Sequence, residues 1–217
     1  MITLYAAYNV PFNGKGLVRD FRVLWALEEL GLPYACHWMD ATKGEQKLDP
    51  NRSINPFGKI PSLTDGELKL FESGAIIHYL YEKAGKLPSD AVTRTQLLQW
   101  MFAALNTLEM PFIELLRWDV FWEGRPGRDV QYPELMEACK TRLADLERAL
   151  GSKPYLLGET FGPADILMTS TLDYGKHKPE IFVNVPGVRA YLERVKARPA
   201  FKRAMDKHLS GPSAIAA

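Results

Sequence analysis

Cysteine is nearly missing from this chain of 217 residues: only Cys36 and Cys139 occur, far apart and in dissimilar contexts. They supply neither a disulfide framework nor a metal-ligand spacing, and such sparing use suits a reducing compartment. No Cys-x-x-Cys opens the first helical pattern, which argues against disulfide exchange. No apolar run approaches the roughly 18 residues of a membrane-spanning helix, and Met1-Ile-Thr-Leu-Tyr5 reads as a strand rather than as a basic and then apolar leader. Runs of like charge are absent too. Lys plus Arg number 27 against 26 for Asp plus Glu, so neither nucleic acid nor a membrane surface is implied as a partner. The four histidines, His37, His78, His177 and His208, are scattered and suggest neither a metal site nor a catalytic group. The expectation is a soluble, cytoplasmic protein without a metal, whose partner is a small molecule or another protein.

What is present is apolar residue in quantity, 47% of the chain, enough for the cores of two modest domains. Strand and helix signals alternate first: a strand over Ile2–Ala7, a helix over Val18–Leu30, a strand over Tyr34–Met39, then short strands at Ile60–Leu63 and Leu68–Phe71 around Asp65-Gly66. Val23, Leu24, Leu27 and Leu30 keep helical spacing, and Gly31-Leu-Pro33 supplies a C′ glycine with a proline beyond it. A helix from Glu72 to about Ala84 closes this β-α-β, loop, β-β-α unit, residues 1–84. Gly85-Lys-Leu-Pro-Ser-Asp90 carries turn residues and no periodicity, and marks the boundary. Everything from 91 to 217 reads as an all-α domain: Thr93–Glu109, kinked or ended near Pro111 and resuming through Trp122, then Pro133–Leu150, Pro163–Gly175, Val188–Ala197 and Ala200–His208. In Phe161-Gly-Pro-Ala-Asp165 a proline and an acidic residue suit the first turn of a helix.

Two segments carry the chemistry. Asn55-Pro-Phe-Gly-Lys-Ile-Pro-Ser-Leu63 makes a turn and then enters an extended segment at a proline, where a missing N–H leaves backbone free for an incoming chain to pair beside Ile60. Glu72-Ser-Gly-Ala-Ile-Ile-His-Tyr-Leu80 opens a helix, and its first amides and dipole attract a carboxylate. In this order the two segments resemble the glutathione-binding half of the cytosolic glutathione S-transferases, and the resemblance extends over nearly the whole chain. It implies an α/β thioredoxin-like N-terminal domain, an all-α helical-bundle C-terminal domain, and glutathione as co-substrate. It further implies that Ser73 takes the γ-glutamyl carboxylate while Glu72 helps neutralise the amine. Ile60 pairs with the cysteinyl backbone ahead of a cis Pro61, and Gln46, Lys47 and Lys59 face the glycyl carboxylate. Where the family has Ser or Thr before Pro163, this chain has Gly162, and Asp165 is structural.

Activating glutathione requires its thiolate, and a free thiol with a pKa of about 8.5 is mostly protonated at neutral pH. Many bacterial members carry Ser or Cys just before the first helix. Here Leu17 and Val18 stand there, and neither Ser nor Cys occurs from Met1 to Pro33. The loop Asn9–Gly16 is long for the family, and Lys15-Gly-Leu-Val-Arg-Asp-Phe-Arg22 resembles the stretch that follows the catalytic tyrosine of animal-type members. Tyr8 is therefore the first candidate for the thiolate's hydrogen-bond donor, with Tyr5, Asn13 and Lys15 as alternatives. For the electrophile, the aromatic cluster from Trp100 to Trp122 falls in the first helical hairpin, which in this family faces the thiol; Phe112, Trp118 and Trp122 are its candidate pocket residues. Family members pair as two-fold dimers, so a homodimer is expected. The leading reading is an enzyme that attacks apolar electrophiles with a glutathione thiolate, reduction and isomerisation being variants of that chemistry. The alternative is a non-catalytic ligand carrier or interaction module on the same fold.

Overall fold

The computed structural model describes residues 1–11, 14 and 16–212. The chain forms two compact units, the first joining Met1–Leu87 to the segment from Arg198, the second spanning Pro88–Ala197.

The first unit is built on strands β1 (Ile2–Asn9), β2 (Tyr34–Asp40), β3 (Ser62–Asp65) and β4 (Leu68–Phe71), with helices α1 (Asp20–Leu30) and α2 (Ser73–Lys83). The sheet order is β2-β1-β3-β4. β1 runs parallel to β2 and antiparallel to β3, and β3 pairs antiparallel with β4, the mixed sheet of a thioredoxin-like unit. A parallel pair needs a crossover helix, supplied by α1, whereas the antiparallel pair closes through a short turn at Asp65-Gly66, with Gly66 at φ 62°. Gly31 ends α1 in the left-handed region at φ 63°, its N–H returning to the Leu27 carbonyl. Leu4, Leu24, Leu27, Leu63, Ile76, Ile77 and Leu80 make the core, each fully buried, and each contributes about 1.5–3 kcal/mol of apolar burial.

The second unit holds α3 (Ala91–Phe102), α4 (Glu109–Val120), α5 (Arg128–Leu150), α6 (Pro163–Leu172) and α7 (Pro186–Lys196). Between α3 and α4 the chain does not break but widens into a π-turn over Ala103–Leu108. Pro111 explains the widening: it has no N–H for the carbonyl one turn back, and its ring crowds that carbonyl, so the preceding turn loosens. α5 begins five residues before Pro133, because Arg128 bonds the Trp118 carbonyl (2.6 Å) and Asp119 (2.8 Å) and so ties the first turn down. Asp165 at the start of α6 accepts from the backbone N–H of Gly162 (2.9 Å) and Leu156 (3.0 Å) and from the Tyr191 hydroxyl (3.0 Å). Gly162 thus keeps the acidic half of the capping arrangement without a side chain of its own.

The last helix, α8 (Pro199–Ser210), packs against α1 and is grouped by its contacts with the first unit. Phe201 packs edge-on to Phe21 and Trp25, with ring centroids 5.5 and 4.9 Å apart. Arg198 pairs with Glu29, and Arg203 and Lys207 with Glu28 at 3.0 and 2.6 Å. This cover explains why every residue of α1 from Asp20 to Leu27 is buried rather than one face of it.

Candidate functional site

The Ile60–Pro61 peptide bond is cis, as is Asp49–Pro50. Pro61 is buried, Ile60 half-buried, and β3 begins immediately after them at Ser62. Asn51 holds the approach to this point. Fully buried, it donates to the carbonyls of Gln46 (2.7 Å) and Lys59 (3.1 Å) and accepts from the Ser62 hydroxyl. Asn55 adds a second bond to the Lys59 carbonyl at 3.0 Å and closes an Asx turn with the Phe57 N–H at 3.1 Å. Gly58 adopts φ 58°, and a Cβ there would meet the Lys47 Cα at 3.2 Å, so only glycine lets the two segments close. The backbone of Gln46-Lys47 is thereby drawn against Lys59-Ile60. Both lysines are exposed and Gln46 is half-buried.

Glu72 adopts φ 69° and ψ 114°, the one non-glycine positive φ among the described residues. That backbone places Ser73 as the first residue of α2, buried at 5% exposure. Arg22 of α1, itself 1% exposed, donates from Nη1 to Ser73 Oγ at 3.5 Å. A buried guanidinium and the positive end of α2 thus converge on one hydroxyl, whose own hydrogen is available for an anionic ligand.

Tyr8 is half-exposed near the end of β1, and Gly211, just past α8, sits against it: a Cβ on Gly211 would meet Tyr8 Cβ at 3.0 Å. Tyr5 stacks on His37 (4.9 Å) and pairs in register with Ser62. Asn13 and Lys15 lie outside the described residues. Burial pushes the Cys36 and Cys139 thiols up to about 12, so neither is a thiolate at neutral pH. Among the described residues no group of His, Cys, Asp and Glu suits a metal ion. Of the aromatic candidates, Phe112 (0% exposed) and Trp118 (2%) are core side chains of the helical unit. Trp122 is half-exposed, meets Trp118 edge-on at 5.3 Å and carries the Arg125 guanidinium 4.4 Å above its ring.

Sequence reasoning missed Arg22, Asn51 and a buried pair, Asp20 with His208. Asn51 had a local signal, a second Asn ahead of Asn55-Pro-Phe-Gly. Arg22 lies inside an apolar helical run, and His208 is 188 residues from Asp20, so neither announces its partner.

A thioredoxin-like unit with a cis-proline strand entry and an anion-attracting helix start, joined to an all-helical unit, defines a two-part, thiol-handling architecture. Two family models match: the N-terminal domain of glutathione S-transferases over residues 11–82, and their C-terminal domain over residues 127–208. The chain is 33% identical over 192 residues to glutathione S-transferase F14 of Arabidopsis thaliana, covering 82% of this chain and 75% of that one. It is 30% identical over 222 residues to glutathione S-transferase-like protein OpS6 of Beauveria bassiana, covering 93% of both. A solved glutathione transferase family member from Pseudomonas fluorescens, with two glutathione molecules bound, matches with a TM-score of 0.84 at 26% identity, over 94% of this chain and 92% of that one. The chain belongs to the glutathione S-transferase family and is a glutathione-dependent transferase.

Proposed function

We propose that the first unit binds glutathione along Ile60-Pro61 and at the start of α2, lowers the pKa of its thiol, and delivers the thiolate to an apolar electrophile. The observation that carries this reading is the convergence of Arg22 and the α2 N-terminus on Ser73 in the same unit as the cis Pro61. Ser73 and the first amides of α2 take the γ-glutamyl carboxylate by charge-assisted bonds, and Glu72 balances the neighbouring amine. The cysteinyl backbone pairs with Ile60, and Gln46, Lys47 and Lys59 face the glycyl carboxylate. Tyr8 donates to the sulfur; the thiol proton passes to water, and the sulfur lone pair forms the new bond to the electrophile as its leaving group or π-electrons depart. Trp122 offers apolar ring surface to the electrophile, with Phe112 and Trp118 supporting it from the core. The active form is a cytoplasmic homodimer: Phe57 (69% exposed) in the first unit and Phe102 (62%) in the second leave large apolar side chains for a second copy to cover.

The test is the ultraviolet absorbance of the glutathione thiolate, titrated with pH with and without the protein. A bound thiol titrating clearly below the free value supports the activating site. Binding without a shift would leave a glutathione carrier, and no binding would remove the site altogether.

A further inference from the structure

We infer that His208, at the end of α8, is a positioning residue for the thiolate site; this rests on the glutathione reading above. The residues that lead into α1 stand where the family's thiolate donor is expected, yet they carry no Ser or Cys. Stabilisation of the sulfur therefore falls to backbone N–H groups or to another side chain, Tyr8 first among the candidates, whose placement depends on how firmly this stretch is held. α8 and the residue just past it hold this stretch and the neighbouring end of β1 at three points. The Gly16 N–H donates to His208 Nδ1 at 3.2 Å. Gly16 itself is buried at φ 79°, and a Cβ there would meet the Met205 sulfur at 3.0 Å. Past the end of the helix, Gly211 abuts Tyr8.

The imidazole works in one tautomer. Because Nδ1 accepts from Gly16, the ring hydrogen sits on Nε2, which faces Asp20 Oδ1 at 3.3 Å. Both side chains are 0% exposed. Asp20 in turn accepts from the N–H of Ala7 (2.7 Å), the residue before Tyr8, and from that of Phe21 (3.0 Å). Edge contacts with Phe21 (5.8 Å) and Trp38 (6.4 Å) fix the plane of the ring. One histidine thus locks the end of β1, the Gly16 turn and the first turn of α1 into a single arrangement, all within the first unit. Positioning of this kind acts on the transition state more than on ground-state binding, and small displacements of a reacting group are costly.

Two isosteres separate the two ends of the ring. His208→Asn keeps an acceptor near the Nδ1 position for Gly16, whereas His208→Gln keeps a donor near Nε2 for Asp20 and gives up Gly16. The expected result is that His208→Gln lowers kcat about tenfold or more and raises the pKa of bound glutathione toward the free value. Its KM for glutathione stays within about twofold, because the contacts at Ser73 and Ile60 are untouched. His208→Asn, which keeps the Gly16 bond and gives up only the contact with Asp20, loses less in both measures. In the parent protein, hydrogen–deuterium exchange should find the Gly16 amide protected, a reading that stands whether or not the Gln variant folds. Equal losses in the two variants, a folded His208→Gln with parental kcat and thiol pKa, or an unprotected Gly16 amide would each overturn the inference and leave the glutathione site standing. A parent protein that leaves the glutathione thiol at its free pKa would overturn the site reading and this inference with it.

Discussion

Replacing Asn51 by Ala removes three hydrogen bonds at a point with no access to water. Its amide donates to the Gln46 and Lys59 carbonyls and accepts from Ser62 Oγ, and the residue is 0% exposed. At about 0.5–1.5 kcal/mol net per bond, the loss is roughly 1.5–4.5 kcal/mol, moderated at the Lys59 carbonyl, which keeps its bond from Asn55. For a chain of this size each kcal/mol corresponds to about 2–4 °C in Tm, so a drop on the order of 5–15 °C is expected. Asn51→Asp should be no better, since a carboxylate would face two carbonyl oxygens while losing both donors. Urea unfolding and differential scanning calorimetry measure the stability. Steady-state kinetics should show a raised KM for glutathione with kcat largely kept at saturation, because Gln46 and Lys59 lose their common anchor. A stability change below about 0.5 kcal/mol, the range of an ordinary surface substitution, would refute the claim that Asn51 holds this segment together.

Ser73→Ala should weaken glutathione binding by about 1–3 kcal/mol, the range for a lost charge-assisted bond, read by isothermal titration calorimetry; parental affinity would contradict the carboxylate site. Tyr8→Phe should leave glutathione affinity nearly unchanged and reduce turnover, and an unaltered rate would eliminate that hydroxyl as the thiolate donor. Asp119 supplies a pH dependence. Burial alone would raise its carboxyl, but bonds from Arg128, His177 and Tyr132 outweigh that and hold it below its ordinary value. Its stabilisation is then fully present above the unfolded carboxyl pKa of about 3.9 and lost as pH falls through the lower folded value. Asp119→Asn should accordingly show a shallower loss of stability than the parent as pH falls below about 4 in urea unfolding at a series of pH values, and parallel curves there would exclude Asp119 as a source of acid sensitivity.

The order of strands and helices, the Gly31 cap, the Asp65-Gly66 turn, the strand entry after Pro61 and the helix starting at Ser73 were all legible in the chain, because each is decided by a few neighbouring residues. Period, turn-forming residues and proline's missing N–H act over one or two turns of backbone, and such preferences survive in the fold when packing agrees with them. The segments proposed to meet glutathione could be read for the same reason. Tertiary structure decided the rest. It sent α8 back to α1, where Phe201 and a set of Arg and Lys side chains found partners. It set Arg22 beside Ser73 and His208 beside Asp20 and Gly16, and it turned Phe112 and Trp118 inward as core. These outcomes depend on groups far apart in the chain meeting out of water. A pattern of neighbours cannot announce such meetings, because burial and long-range hydrogen bonding are settled only when the whole chain has closed around them.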